Sequence, residues 1–184
     1  MNHATTLFRR AACAVIAGTL TMAAHAALKP GVPAPMFKTE AALAGKPFAF
    51  DMAAALRKGP VVLYFFPKAF TQGCTIEAHA FAEATPEFNR MGATVIGISH
   101  DDIETLKKFS TEACRDQFAV AADVSAATIG AYDAGNAAHP GMASRISYVI
   151  DSQGKIVFVH EGADPLEHVQ RTLEAVRQLH RGQP

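Results

Sequence analysis

The chain has 184 residues, of which 49% are hydrophobic and 18% are charged, and its 17 basic side chains are balanced by 17 acidic ones. This composition predicts one folded domain with a sizeable core, and it excludes extensive disorder. The net charge of zero gives no support for a nucleic-acid partner or for an anionic membrane surface.

The N-terminal residues 1–26 predict a cleaved secretory signal peptide. Two arginines supply a positive start, a short apolar stretch follows, and residues 24–26 form an Ala-x-Ala cleavage pattern. We therefore expect residues 27–184 to be the mature domain, exported to a bacterial periplasm and lacking a membrane span. This domain would retain two cysteines, Cys74 and Cys114.

The rest of the chain alternates between strand and helix signals. Two short, proline- and glycine-punctuated segments, residues 30–39 and 46–50, predict an N-terminal β-hairpin. Further along, continuous apolar runs predict buried strands, and apolar residues at helical spacing predict amphipathic helices. In chain order, the expected elements are a helix over 51–59, a strand over 60–66, a helix over 74–90, a strand over 93–99, a helix over 101–117, a strand over 118–123, a short helix over 126–134, a strand hairpin over 145–151 and 155–162, and a closing helix over 165–180.

This element order predicts an α/β fold with a central mixed sheet flanked by helices. Strands joined by helices favour parallel crossovers, and the C-terminal strand pair is antiparallel because a short turn joins it. Cys114 is expected inside the helix over 101–117. The expected inward face of the helix over 74–90 consists of Ile76, Ala80, Phe81, Ala84 and Phe88.

Cys74 follows cap and turn residues and does not lie inside an apolar pattern. It comes shortly after the strand that ends at Pro67, at the expected start of a helix. The positive end of the helix dipole and the free N–H groups of the first turn favour a thiolate there. Thr71 could hold its hydroxyl near the sulfur, and Pro67 would form a rigid wall. The alternative is a structural disulfide with Cys114, which a core of this size does not need.

The pattern Pro67-x-x-x-Thr71-x-x-Cys74 resembles the active-site motif of the peroxiredoxins. The wider segment over residues 61–78 is similar to the Q-type, or bacterioferritin comigratory protein, subgroup, and the likeness continues to residue 156. This resemblance implies a thioredoxin-like fold with an N-terminal β-hairpin extension. It also implies a thiol-dependent peroxidase that reduces hydrogen peroxide and organic hydroperoxides for antioxidant defence, without a cofactor.

The resemblance assigns a role to each residue of the motif. Cys74 is the peroxidatic cysteine, Thr71 aligns the peroxide and Pro67 limits solvent access. Arg145 stabilises the thiolate and the charge that develops on oxygen, which lowers the barrier because that charge is greatest in the transition state. A surface salt bridge is the alternative role for Arg145. Glu77 is expected to be a first-turn carboxylate without a catalytic role.

The chain departs from the subgroup at the position of the resolving cysteine. Many members carry that cysteine five residues after the peroxidatic one, and here the position is His79. We expect Cys114 to resolve Cys74 through an intramolecular disulfide, which requires their Cα atoms to come within about 7 Å by local unwinding. The alternative is a buried apolar thiol. The expected reductant is a thioredoxin-like periplasmic protein, and the expected state is a monomer.

A periplasmic copper-binding module with a thioredoxin-like fold is the alternative function. Cys74 and His79 could join His100 or His139 as thiolate and imidazole ligands. However, these residues lack the close spacing of most metal sites. A disulfide reductase is disfavoured because no C-x-x-C motif includes Cys74. We therefore expect no metal and no cofactor.

Overall fold

The computed structural model describes residues 27–182. The predicted signal peptide lies outside these residues. No helix within them is long and apolar enough to cross a membrane. The strands are β1 (Lys38–Leu43), β2 (Lys46–Asp51), β3 (Val61–Phe65), β4 (Thr94–Ser99), β5 (Ala119–Ala122), β6 (Ile146–Ile150) and β7 (Ile156–Glu161). The helices are α1 (Met52–Leu56), α2 (Gln72–Arg90), α3 (Ile103–Glu112), α4 (Ala127–Ala131) and α5 (Pro165–Arg181).

The seven strands form one mixed sheet in the order β2-β1-β5-β4-β3-β6-β7. The central strands β3, β4 and β5 are parallel, and every other neighbouring pair in this sheet is antiparallel. The prediction of a thioredoxin-like α/β fold with a mixed sheet is confirmed. Because β3 and β4 are parallel, the chain leaves both strands at the same edge of the sheet, and β6 begins at that edge opposite Phe65.

The core consists of two apolar layers, one on each face of the sheet. Along β3, Val61, Leu63 and Phe65 point into the first layer, whereas Val62 and Tyr64 point into the second. This alternation follows from the two-residue period of a strand, and it explains why the sequence of β3 is apolar at every position. Both thiols of the described chain lie in the second layer, together with side chains of α2, α3 and α5.

The N-terminal hairpin begins later in the chain than predicted. Its first strand is β1, not residues 30–39. Three prolines in that earlier segment lack the N–H group that a sheet ladder needs, which accounts for the shift. The hairpin turns at Ala44 and Gly45, which have φ values of 49° and 73°.

The third helix ends at Glu112, five residues before the predicted end, so the prediction that Cys114 lies inside a helix is wrong. The N–H of Cys114 donates to Phe109 O, and Arg115 and Asp116 then adopt left-handed φ values of 51° and 60°. Two consecutive left-handed residues end a right-handed helix.

Candidate active site

The loop between β3 and α2 is anchored to the neighbouring strand. The N–H of Phe66 donates to Ile98 O at 3.0 Å, and the N–H of Ala69 donates to Asp101 Oδ2 at 2.8 Å. Asp101 also accepts a hydrogen bond from the Ser99 hydroxyl at 2.8 Å. These contacts fix the segment that contains Pro67 against the end of β4.

Cys74 lies in the first turn of α2, as the sequence predicted, and it is only 2% exposed. Thr71 is the residue that immediately precedes the helix, but its side chain makes no capping hydrogen bond. Its hydroxyl donates to Lys68 O at 2.9 Å. The hydroxyl hydrogen therefore points to a carbonyl group, and the oxygen lone pairs of Thr71 are left to accept a hydrogen bond from a ligand.

Arg145 immediately precedes β6 and reaches the sulfur of Cys74. Its Nη2 lies 3.5 Å from Cys74 Sγ, and its Nη1 contacts Glu77 Oε2. The sheet explains this approach, because Ile146 pairs with Phe65 at the edge where the loop to α2 begins. The structure therefore brings Arg145 to the first turn of α2, and it does not place this arginine in a surface salt bridge.

Glu77 also contacts Arg145, and the prediction that it is a first-turn carboxylate is wrong, because α2 begins at Gln72 and its first turn contains no acidic residue. Its side chain is fully buried, whereas the neighbouring Ile76 is 41% exposed, so the predicted inward position of Ile76 is wrong. Burial raises the pKa of Glu77 to about 8, although Arg145 acts in the opposite direction. The spacing in the sequence could have predicted this position, because residues three apart on a helix lie on the same face and Glu77 follows Cys74 by three residues.

A buried histidine from α5 completes the cluster. His168 Nδ1 lies 2.8 Å from the Ser147 hydroxyl and 4.0 Å from Glu77 Oε1, and its Nε2 lies 3.0 Å from Gly162 O. Burial lowers the pKa of His168 to about 4, so the ring is neutral at pH 7. Within residues 27–182, no group forms a hydrogen bond with the buried Glu77 Oε1.

Cys114 is a free and fully buried thiol at the end of α3. Burial raises the pKa of Cys114 strongly, and the nearby Asp116 carboxylate adds to this effect. Cys114 is therefore a poor nucleophile in this arrangement, because the thiolate is the reactive form. Cys74 is also a free thiol, and both side chains contribute to the same apolar layer as Tyr64.

A cavity of about 410 Å³ opens beside the guanidinium group. It is lined by Pro67 and Arg145, by Asn136 and Ser144 from the loop before β6, and by Glu161 at the end of β7. This opening is large enough for a small peroxide, and Arg145, which lines it, also contacts the sulfur of Cys74.

The predicted copper ligands are not assembled into a site. His100 Nδ1 lies 3.1 Å from Asp123 O, and no group of three His, Cys, Asp or Glu side chains suited to a metal ion occurs within residues 27–182. Cys74 and His79 therefore have no third ligand near them in this part of the chain.

The chain is similar to known proteins. Residues 30–159 match the model of the AhpC/TSA family. The chain is 31% identical over 121 residues to the chloroplastic peroxiredoxin Q of Triticum aestivum, an alignment that covers 65% of this chain. The chain spans only 55% of the length of that relative.

Two solved structures are also similar. Peroxidoxin BcpB from Mycobacterium tuberculosis has a TM-score of 0.75 and 26% identity, and the match covers 83% of this chain and 98% of that one. Peroxiredoxin Q from Xanthomonas campestris has a TM-score of 0.67 and 23% identity, with 77% and 90% coverage, which supports the fold alone.

Proposed function

This chain belongs to the AhpC/TSA family, and we propose that it is a thiol peroxidase that reduces hydrogen peroxide and organic hydroperoxides. The observation that carries this proposal is the distance of 3.5 Å between Arg145 Nη2 and the buried sulfur of Cys74 at the start of a helix. A cation and free backbone N–H groups stabilise a thiolate there, and a thiolate is the nucleophile that attacks a peroxide.

In the first step, the Cys74 thiolate attacks the terminal oxygen of the hydroperoxide. A sulfur–oxygen bond forms, the O–O bond breaks, and the leaving alkoxide or hydroxide takes up a proton. Sulfur is oxidised by two electrons to a sulfenic acid, and the peroxide is reduced to an alcohol or water. Arg145 stabilises the negative charge that spreads over sulfur and oxygen, and Thr71 accepts a hydrogen bond from the peroxide.

In the second step, Cys114 attacks the sulfenic acid of Cys74 and forms an intramolecular disulfide with loss of water. Cys114 is buried in the structure, so the end of α3 has to unwind before its thiol ionises and reaches Cys74. A thioredoxin-like protein then reduces the disulfide. The left-handed residues that follow Cys114 support this step, because they interrupt the helix next to the thiol.

The remaining parts of the proposal come from the sequence. The Ala-x-Ala pattern at residues 24–26 supports export to a periplasm, where the protein would act as a monomer in antioxidant defence. The reductant would then be a periplasmic thioredoxin-like protein, because cytosolic thioredoxin does not reach that compartment.

The test compares the wild type with two variants, Cys74→Ser and Cys114→Ser. Each reduced protein is mixed with one equivalent of hydrogen peroxide, and peroxide consumption and the oxidised peptides are measured by mass spectrometry. We expect the wild type to form a cross-linked peptide containing Cys74 and Cys114. Cys74→Ser should consume no peroxide by this route, whereas Cys114→Ser should react with the first equivalent at nearly the wild-type rate.

With excess peroxide, the sulfenic acid of Cys114→Ser should persist and oxidise further to sulfinic acid. Turnover with a thioredoxin-like donor should fall. An unlinked Cys114 after complete oxidation of Cys74, with undiminished turnover in Cys114→Ser, would exclude Cys114 as the resolving residue. Peroxide consumption by Cys74→Ser at the wild-type rate would exclude the peroxidase proposal itself.

A further inference from the structure

Arg145 contacts two acidic groups at the same time. Its Nη2 approaches the Cys74 sulfur, and its Nη1 contacts Glu77 Oε2. The guanidinium carries one positive charge, so ionisation of both acids would leave an excess negative charge inside the protein. A negative charge on one acid therefore disfavours a negative charge on the other.

The orientation of His168 indicates which acid keeps the proton. Gly162 O can only accept a hydrogen bond, so the nearby Nε2 of His168 must carry the hydrogen of the neutral ring. Nδ1 is then the unprotonated nitrogen, and its lone pair accepts a hydrogen bond from the Ser147 hydroxyl at 2.8 Å. The same lone pair lies 4.0 Å from Glu77 Oε1.

In the part of the chain that the structure describes, Glu77 Oε1 is buried without a hydrogen-bond partner. As an ionised oxygen it would face the lone pair of His168 without a donor, which costs free energy in a dry interior. As a protonated oxygen it carries no negative charge towards that lone pair, although at 4.0 Å the two atoms are beyond hydrogen-bond distance. The geometry is therefore complementary to the neutral acid.

We propose that Glu77 is held as the neutral acid in the reduced protein, with its proton on Oε1, and that His168 and Ser147 are positioning residues that keep it there. The positive charge of Arg145 is then left to the Cys74 thiolate. Glu77 would thus govern the reactivity of the thiol without touching the peroxide. This inference rests on the proposed function only for its consequence in catalysis.

The pKa directions agree with the geometry, since burial raises the pKa of Glu77 to about 8 and lowers that of His168 to about 4. Among the described residues, Asp164 acts on His168 through its charge, and Tyr64 and His160 also lie near the cluster. Tyr64, from β3, is neutral because burial raises its pKa well above the usual value. His160, from β7, lies with its ring centre 4.6 Å from that of His168, and its Nε2 lies 3.6 Å from Glu167 Oε2.

Infrared spectroscopy of the full reduced chain detects this proton directly, because a neutral carboxyl group has a C=O stretch that a carboxylate lacks. At pH 7 we expect an acid band that shifts in heavy water, that disappears as the pH rises through about 8, and that is missing in Glu77→Gln. The absence of such a band at pH 7, or its persistence in Glu77→Gln, would overturn the inference.

The kinetics of the first step give a second, independent test. The amide of Glu77→Gln imitates the neutral acid, so its rate of Cys74 oxidation at pH 7 should stay within about threefold of the wild type. Glu77→Ala removes the contact to Arg145 and should lose about tenfold or more. If the glutamine variant is as slow as the alanine variant, a negative charge is required at Glu77 and the inference is wrong.

Ser147→Ala tests the positioning role. Without the serine hydroxyl, the ring of His168 loses the hydrogen bond that fixes its Nδ1, so the acid band should disappear at a lower pH than in the wild type. Thr172→Val is the matched control, because Thr172, on α5, is buried as Ser147 is, but its hydroxyl donates to the backbone carbonyls of His168 and Val169. An equal shift in both variants, or no shift in Ser147→Ala, would remove the positioning role.

The outcomes separate this inference from the proposed function. An acid band of Glu77 in a protein that consumes no peroxide would refute the peroxidase proposal and support the protonation of Glu77. Peroxide consumption by a protein that shows no acid band would support the peroxidase proposal and refute the protonation of Glu77.

Discussion

Gly73 precedes Cys74 in the first turn of α2. Its replacement by alanine should stabilise the helix and at the same time move Arg145 away from the Cys74 sulfur. A Cβ at this position would lie 3.1 Å from Arg145 Nη2, which is closer than about nine in ten contacts of a Cβ. The backbone of Gly73 is not in a left-handed conformation, so alanine fits the helix itself. The guanidinium must therefore move away by a few tenths of an ångström, and it is the group that approaches the Cys74 sulfur.

We expect Gly73→Ala to raise the stability of the protein and to lower the rate of Cys74 oxidation. Alanine is favoured over glycine in a helix by about 0.5–1 kcal/mol, so Gly73→Ala should raise the free energy of unfolding. A displacement of ~0.4 Å lengthens the 3.5 Å separation between Nη2 and Sγ, and at an effective dielectric constant of about 20 it weakens the attraction by about 0.5 kcal/mol. The rate of Cys74 oxidation should then fall about twofold, and about tenfold if the hydrogen bond is lost.

The assays are urea unfolding of the reduced protein and quenched-flow oxidation of Cys74 by hydrogen peroxide. The matched control is Gly130→Ala, since Gly130 also lies in a helix but a Cβ there meets nothing within 4 Å. The control should raise stability and leave the rate unchanged. An unchanged rate in Gly73→Ala, or an equal loss in the control, would refute the argument that Arg145 acts through its distance from the sulfur.

Three further predictions follow from the same geometry. Arg145→Lys keeps the charge but has a single nitrogen for two contacts, so the rate of peroxide consumption should fall about tenfold or more, which corresponds to about 1.4 kcal/mol of activation barrier. A rate equal to that of the wild type would show that Arg145 does not act in the site. Gly97→Ala would place a Cβ 2.6 Å from the buried ring of Tyr64, so the free energy of unfolding in urea should fall by about 1–3 kcal/mol. An unchanged free energy of unfolding would contradict this prediction. The folded state lowers the pKa of His168 from 6.5 to about 4 and raises that of Glu77 from 4.5 to about 8. Stability therefore falls on acidification through the first window and on alkalinisation through the second. Between pH 6.5 and 8 the loss from Glu77 exceeds the small gain from His168, so a net fall of about 1 kcal/mol should appear in the wild type and be absent in Glu77→Gln.

The fold and the position of Cys74 could be predicted from the sequence because both depend on local patterns. The apolar run of β3 and the spacing of apolar residues in α2 each specify one element. The proline and cap residues before Cys74 then mark the junction between a strand and a helix. These signals need no knowledge of distant contacts.

The partners of Arg145 could not be predicted in the same way. Glu77 resembles an ordinary surface carboxylate until the sheet brings β6 and α5 against it, and then it is fully buried. His168 reaches the same cluster from the last helix, at a sequence separation that no periodic pattern spans. The end of α3 was missed because residues 113–117 continue a helical composition, and the left-handed turn depends on backbone geometry that the composition does not specify.

The sheet divides the core into two layers, and only one of these layers contains the cysteines of the described chain. Both thiols of the described chain belong to the layer packed under α2, α3 and α5, and the other layer consists of β-strand side chains with α1 and α4. The local opening that the proposed disulfide between Cys74 and Cys114 requires can thus remain confined to one face of the sheet. Amide hydrogen exchange should accordingly be faster at the end of α3 than in the central strands, and the molecule should tolerate repeated opening without global unfolding.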